Sequence, residues 1–114
     1  MRKMELFTSA LYNALGVGHK NAQTRKDLCK RLRCDDRMLR DGIEVLRADY
    51  AVLNRDDGKG YYLPEETDSG RADTKRWHER QERRVQAIRA SQAGALKFIG
   101  MGRESWLPED LPWA

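Results

Sequence analysis

Apolar residues recur at helical spacing from the start of the chain. Met4, Phe7, Leu11, Ala14 and Leu15 fall on one face and predict a helix over 3–15. Gly16-Val17-Gly18 should end it, because glycine readily takes the left-handed conformation that closes helices. His19 to Gln23 is polar and reads as a loop. A second apolar set, Leu28, Cys29 and Leu32, follows Thr24, whose hydroxyl can accept from a backbone N–H one turn on. Asp27 adds a carboxylate near the positive end of that helix. The pattern breaks at Arg33-Cys34. Asp35 then caps a third helix with Leu39, Ile43 and Leu46 as its inward stripe. Phe7 and Leu11 are expected to pack on Leu28, Leu39 and Ile43 as a three-helix core.

After the third helix the pattern becomes strand-like. Val52-Leu53-Asn54-Arg55 and Gly60-Tyr61-Tyr62-Leu63 are rich in β-branched and aromatic residues. Asp56-Asp57-Gly58-Lys59 between them carries the Asp-Gly hairpin signal. Pro64 ends the second strand. The chain therefore divides into a domain over 1–64, an acidic, turn-rich linker over 65–71, a long helix over 72–100 and a tail over 101–114. The long helix has Asp73 near its start and is made of good helix formers, interrupted at Gly94. Its apolar stripe, Trp77, Val85, Ile88, Leu96 and Ile99, filled in by Gln92 and Ala95, is too thin for a free helix. It must pack on its own domain or on a second copy, and the second copy is the favoured reading. The tail carries Trp106-Leu107-Pro108 and Leu111-Pro112-Trp113, and its tryptophans are expected to dock on this chain, its partner subunit or another protein. Glu109-Asp110 would compete there for a basic surface, which would make the tail autoinhibitory.

Four segments carry a resemblance: Thr24-Arg25-Lys26-Asp27-Leu28, Asp35-Asp36-Arg37-Met38-Leu39-Arg40, Ile43-Glu44-Val45-Leu46-Arg47 and Gly58-Lys59-Gly60-Tyr61-Tyr62-Leu63. Together they resemble the winged helix-turn-helix of biotin-repressor-type and DeoR-type bacterial regulators. The fold class implied is mainly α with a small β-hairpin: a winged helix-turn-helix followed by a long C-terminal helix. The resemblance implies DNA binding, with the Asp36–Asp41 stretch approaching base edges in the major groove and the hairpin acting as the wing on the backbone or minor groove. This chain departs from the family at Asp49-Tyr50, where a glycine usually ends the recognition helix. It departs again at Gly42, which lies inside that helix and costs about 0.5–1 kcal/mol relative to alanine. The added acidic linker and Arg/Ala-rich helix are also similar to small winged-helix proteins of bacterial prophages and mobile elements. That likeness implies phage gene control or DNA processing.

Charge adds a direction. Lys and Arg number 22 against 18 Asp and Glu. The first 64 residues hold 13 basic and 9 acidic side chains, whereas the rest hold 9 of each. The excess thus lies in the predicted domain, densest from Lys20 to Arg33, as a phosphate-facing patch would be. Arg37 and Arg40 are the residues expected to reach DNA, since guanidinium pairs bidentately with guanine or grips phosphate. Arg25 and Lys26 are also expected to bind DNA, and Arg55 and Lys59 to meet the backbone or minor groove, with Met38 near the rim. Asp36 and Asp41 oppose phosphate and would accept from a cytosine amino group or orient the arginines. The bland alternative is an ordinary solvated helix face. Arg76, Arg80, Arg83 and Arg84 could extend the basic surface, although Glu79 and Glu82 are expected to pair with them.

Other chemistry is poorly supported. Cys29 and Cys34 with His19 and His78 make no zinc spacing, so no metal is expected. No nucleophile is paired with a spaced histidine and acid, and Gly58-Lys59-Gly60 is too short for a nucleotide loop. The expectation is no enzyme, no cofactor and no membrane span, in a cytoplasmic protein with reduced thiols. The expected partner is double-stranded DNA, bound by a homodimer that regulates transcription. Two alternatives stay open: an accessory factor for phage replication or recombination, and a protein-interaction module presenting Asp36, Asp41, Asp56 and Asp57.

Overall fold

A computed structural model of the chain describes residues 3–103. The elements in order are α1 (Lys3–Ala14), a 3-10 turn (His19–Asn21), α2 (Arg25–Leu32), α3 (Asp36–Arg47), β1 (Leu53–Asn54), β2 (Tyr61–Tyr62) and α4 (Asp68–Met101). They form two units, Met1–Trp77 and His78–Ala114, so α4 begins in the first and continues through the second.

In the first unit the inward stripes meet as expected. Leu11, Leu15, Leu28, Leu39, Ile43, Leu46 and Val52 are buried together, with Phe7 packed against them. Thr24 caps α2 through its Oγ1, which accepts from the Asp27 N–H at 3.1 Å. Asp35 caps α3 by accepting from the Met38 N–H at 2.8 Å. Between the two helices Arg33 takes the left-handed conformation (φ 53°), which sends the Cys34 N–H back to the Cys29 carbonyl. α3 ends without a glycine: the Tyr50 N–H bonds back to Leu46 O at 2.8 Å, and the Tyr50 ring lies 5.1 Å from that of Tyr12.

Gly42 proves to be a packing position. It is buried in α3, and a Cβ there would lie 2.6 Å from Phe7 Cε2 and 3.1 Å from Leu11 Cδ2. The missing side chain lets α1 cross close over α3, which offsets its intrinsic helical penalty.

The hairpin is shorter than its strand-like sequence suggests. β1 and β2 pair antiparallel in the register Leu53 with Tyr62 and Asn54 with Tyr61. The other edge of β2 is also occupied. Gln23 and Tyr61 exchange both N–H···O bonds at 2.9 and 2.8 Å, and Leu63 bonds Gly16 and Gly18. The segment read as a polar loop thus forms the 3-10 turn His19–Asn21 and is flanked by two isolated bridges to the β2 segment, Val17 with Leu63 and Gln23 with Tyr61.

α4 starts at Asp68, inside the predicted linker, because Thr67 Oγ1 accepts from the Gly70 N–H at 3.0 Å. Gly70 is buried against the Glu65 carbonyl oxygen and backbone, where no side chain fits. The same end of α4 is tied to the hairpin by the Tyr62 hydroxyl, which bonds Asp73 at 2.6 Å.

In the second unit the helix ends at Met101, and its large apolar side chains stay open: Ile88 is 57% exposed, Leu96 67% and Ile99 80%. Among the described residues no helix is long and apolar enough to cross a membrane. The expected docking of Trp106 and Trp113, and the autoinhibition ascribed to Glu109-Asp110, fall outside the described residues.

Candidate nucleic-acid interface

With Leu39, Gly42, Ile43 and Leu46 turned inward, α3 exposes Asp36, Arg37, Arg40 and Asp41, while Met38 is half-buried at the edge. Asp36 stands between two guanidinium groups, 3.1 Å from Arg40 Nε and 3.6 Å from Arg25 Nε. All three side chains are half or more exposed, so water screens the pairs and their contribution to stability is small. What the pairs supply is geometry. They hold Arg25 of α2 and Arg40 of α3 around one carboxylate, which leaves that carboxylate partly neutralised. Of the two roles open to Asp36, orienting arginines is the one this arrangement fits. Arg37, Lys26 and Asp41 are exposed and make no side-chain hydrogen bond or ion pair among the described residues.

The hairpin tip forms a second cluster. Arg55 clasps Asp57 with two bonds, Nε at 3.1 Å and Nη2 at 2.7 Å, and Asp57 also accepts from the Lys59 N–H at 3.0 Å. That N–H, and after it the Arg55 guanidinium, holds the Asp57 carboxyl below the usual carboxylate range. Arg55 is thus committed within the turn rather than offered freely to a phosphate. Lys59 and Asp56 are exposed, without side-chain partners among the described residues. No hydrogen bond or ion pair among these residues joins the tip to the α3 cluster.

The basic patch from Lys20 to Arg33 is also thinner than its sequence suggests. Arg31 turns toward its own fold, with Nη1 3.2 Å from Gln23 Oε1 and 3.5 Å from the Ala14 carbonyl. Near it, burial pushes the Cys34 thiol up to about 11, helped by the neighbouring Cys29 thiol and by Asp35 and Asp36. A thiol so poor in thiolate is a weak nucleophile at neutral pH, and Cys34 packs half-buried against the core cluster.

The arginine that organises this side of the unit was not singled out from the sequence. Arg47, at the end of α3, donates from Nε to the Val52 carbonyl at 2.9 Å and from Nη2 to Asn54 Oδ1 at 3.0 Å. Its guanidinium lies 5.0 Å from the Trp77 ring centre and 5.8 Å from that of Tyr61. Trp77 in turn donates its indole N–H to Asn54 Oδ1 at 2.8 Å. Trp77 is therefore docked on its own unit rather than held out for a second copy, because its N–H finds an acceptor beside the hairpin. The only hint in the sequence is a cation at a helix C-terminus, a weak one.

Along α4 the expected Arg–Glu pairing does not form. Arg76 pairs with Asp73 at 3.8 Å, and Arg71 with Asp68 at 3.4 Å. Arg80, Arg83 and Arg84 have no ion pair among the described residues, and neither do Glu79 and Glu82. Compared with family models, with curated proteins and with solved structures, the chain finds no match in any of the three.

Proposed function

We propose that this chain is a winged helix-turn-helix protein that binds specific double-stranded DNA and regulates transcription as a homodimer. In this reading α3 enters the major groove and the β1–β2 hairpin rests on the backbone or in the minor groove. The observation that carries it is the outer face of α3. Arg37 stands there unpaired, beside an Arg40 held by the same carboxylate that takes Arg25. Of the four carboxylates on these surfaces two are paired, Asp36 with two arginines and Asp57 with Arg55, while Asp41 and Asp56 stay open. On these surfaces Arg37, Lys26 and Lys59 face solvent without an ion-pair partner among the described residues, and Arg40, although paired with Asp36, is 60% exposed.

Selection of preferred sites from a random oligonucleotide pool tests this reading. The wild-type protein is expected to return one consensus. Arg37→Ala and Arg40→Ala are each expected to relax it at one position, by about 1–3 kcal/mol of base discrimination. Lys59→Ala should instead weaken binding to every sequence and lower the salt slope by about 0.9. An unchanged consensus in the double arginine variant would mean that α3 does not read bases.

The homodimer rests on the open stripe of α4. Val85, Ile88, Leu96 and Ile99 are all exposed. Helix-turn-helix proteins commonly pair through an element outside the DNA-reading part to reach two half-sites. Sedimentation of the wild-type protein at micromolar concentration is expected to give a dimer, and Ile88→Asp with Ile99→Asp a monomer. A monomeric wild type would remove this part of the reading.

A further inference from the structure

We propose that Arg80, Arg83 and Arg84 form a second phosphate-gripping surface on α4, apart from the α3 face. At 3.6 residues per turn the three side chains fall within about 100° of one another. The neighbours of Arg80 at i−4, i+3 and i+4 are all arginines: Arg76, Arg83 and Arg84. Arg76 is already paired with Asp73 in its own unit, whereas the other three guanidinium groups have no partner among the described residues. Glu79 stands four residues before Arg83, the spacing at which a helical pair forms most readily, and yet no ion pair is made.

Like charges at i,i+4 destabilise a helix by a few tenths of a kcal/mol each. The Arg80–Arg84 pair, with Arg83 beside it and no neutralising partner among the described residues, is a conformation that an external anion would relieve. Duplex DNA, with one negative charge per roughly 1.7 Å of its axis, is dense enough to meet all three groups at once. Guanidinium also suits phosphate better than ammonium does, because its planar fork can donate two parallel bonds. The apolar stripe through Val85 and Ile88 lies on an adjacent face, so a second copy seated there would leave the arginines outward. The inference rests on the DNA-binding reading above and adds a contact that grips without reading bases.

The test uses the full chain and a labelled random-sequence duplex, with affinity followed by anisotropy across a salt series. The R80Q/R83Q/R84Q variant keeps good helix formers, and circular dichroism checks its fold. It is expected to bind the random duplex more weakly and to lower the slope of log K against log salt by about 2–3. The consensus selected from random pools is expected to stay that of the wild type. R80K/R83K/R84K should retain most of the slope, which separates charge from packing. An unchanged slope in the glutamine variant overturns the second surface and leaves the α3 reading standing. A wild type that does not bind duplex overturns both. If the glutamine variant loses binding only to phosphatidylglycerol vesicles and not to duplex, the surface belongs to anionic lipid and the inference fails.

Discussion

Gly60→Ala is expected to destabilise the first unit by about 3 kcal/mol or more, the sum of a backbone forced into a region reserved for glycine and an overpacked contact. Gly60 sits at φ 126°, and a Cβ there would lie 2.7 Å from the Gln23 carbonyl oxygen and 2.8 Å from its carbon. Those atoms cannot step aside cheaply. Gln23 is locked to Tyr61 by a reciprocal pair of backbone bonds, so moving it opens the strand pairing on that edge of β2. Gly58 supplies the control. It also has positive φ, at 76°, but nothing lies within 4 Å of its Cβ position. Gly58→Ala should therefore cost only about 1–2 kcal/mol, the ordinary left-handed penalty. Urea denaturation of the two variants checks this, and equal losses would show that close approach at Gly60 contributes nothing. In thermal melts the Gly60 variant should fall by roughly 10 °C or more.

Arg47→Ala is expected to lower stability by about 2–4 kcal/mol. A hydrogen bond from a charged donor is worth about 1.5–3 kcal/mol, and a partly desolvated cation–π contact adds about 0.5–2. The substitution strips the donor from the Val52 carbonyl, takes one of two donors from Asn54 and removes the cation from the Trp77 ring. The indole N–H resonance of Trp77 should shift even where the fold survives, because Asn54 Oδ1, its acceptor, is then free to turn. Arg47→Lys should recover little, since an ammonium cannot reach a carbonyl, a side-chain amide and a ring from one plane. An unmoved Trp77 resonance and an unmoved unfolding midpoint would show that this cluster is decorative.

The parts of this structure that were legible in the sequence are those governed by near neighbours. Thr24 and Asp35 announce helix starts because a capping hydroxyl or carboxylate reaches only one turn ahead. The Leu39, Ile43 and Leu46 spacing set the buried face of α3, and with it the outward position of Asp36, Arg37, Arg40 and Asp41. Asp57-Gly58 marked the turn of the hairpin. What was not legible depends on residues far apart in the chain. Gln23 meets Tyr61 and Asn54 meets Trp77 only after the chain has folded back, and no local pattern marks either meeting. Gly42 looked like a weak point for the same reason, because the Phe7 ring that needs its space lies in another helix. Thr67 lies in an acidic, turn-rich stretch with no apolar run directly after it, so nothing local marks its hydroxyl as a helix cap. The pairings at the candidate interface were equally hidden. Spacing predicted which arginines are exposed but not that Asp36 would gather Arg25 and Arg40, nor that Arg55 would close on Asp57.

The hairpin's margins also bear on how the protein behaves when crowded. Open strand edges invite other chains to add to a sheet, and proteins guard against this by keeping such edges short, covered or charged. One side of β2 is paired with β1, and the other is taken by Gln23. β1 is only two residues long, and the neighbouring Val52 carbonyl is already engaged by a guanidinium. Little backbone is left for a stray strand to join, so the apolar face of the long helix, and not the sheet, is where copies of this chain would first adhere to one another.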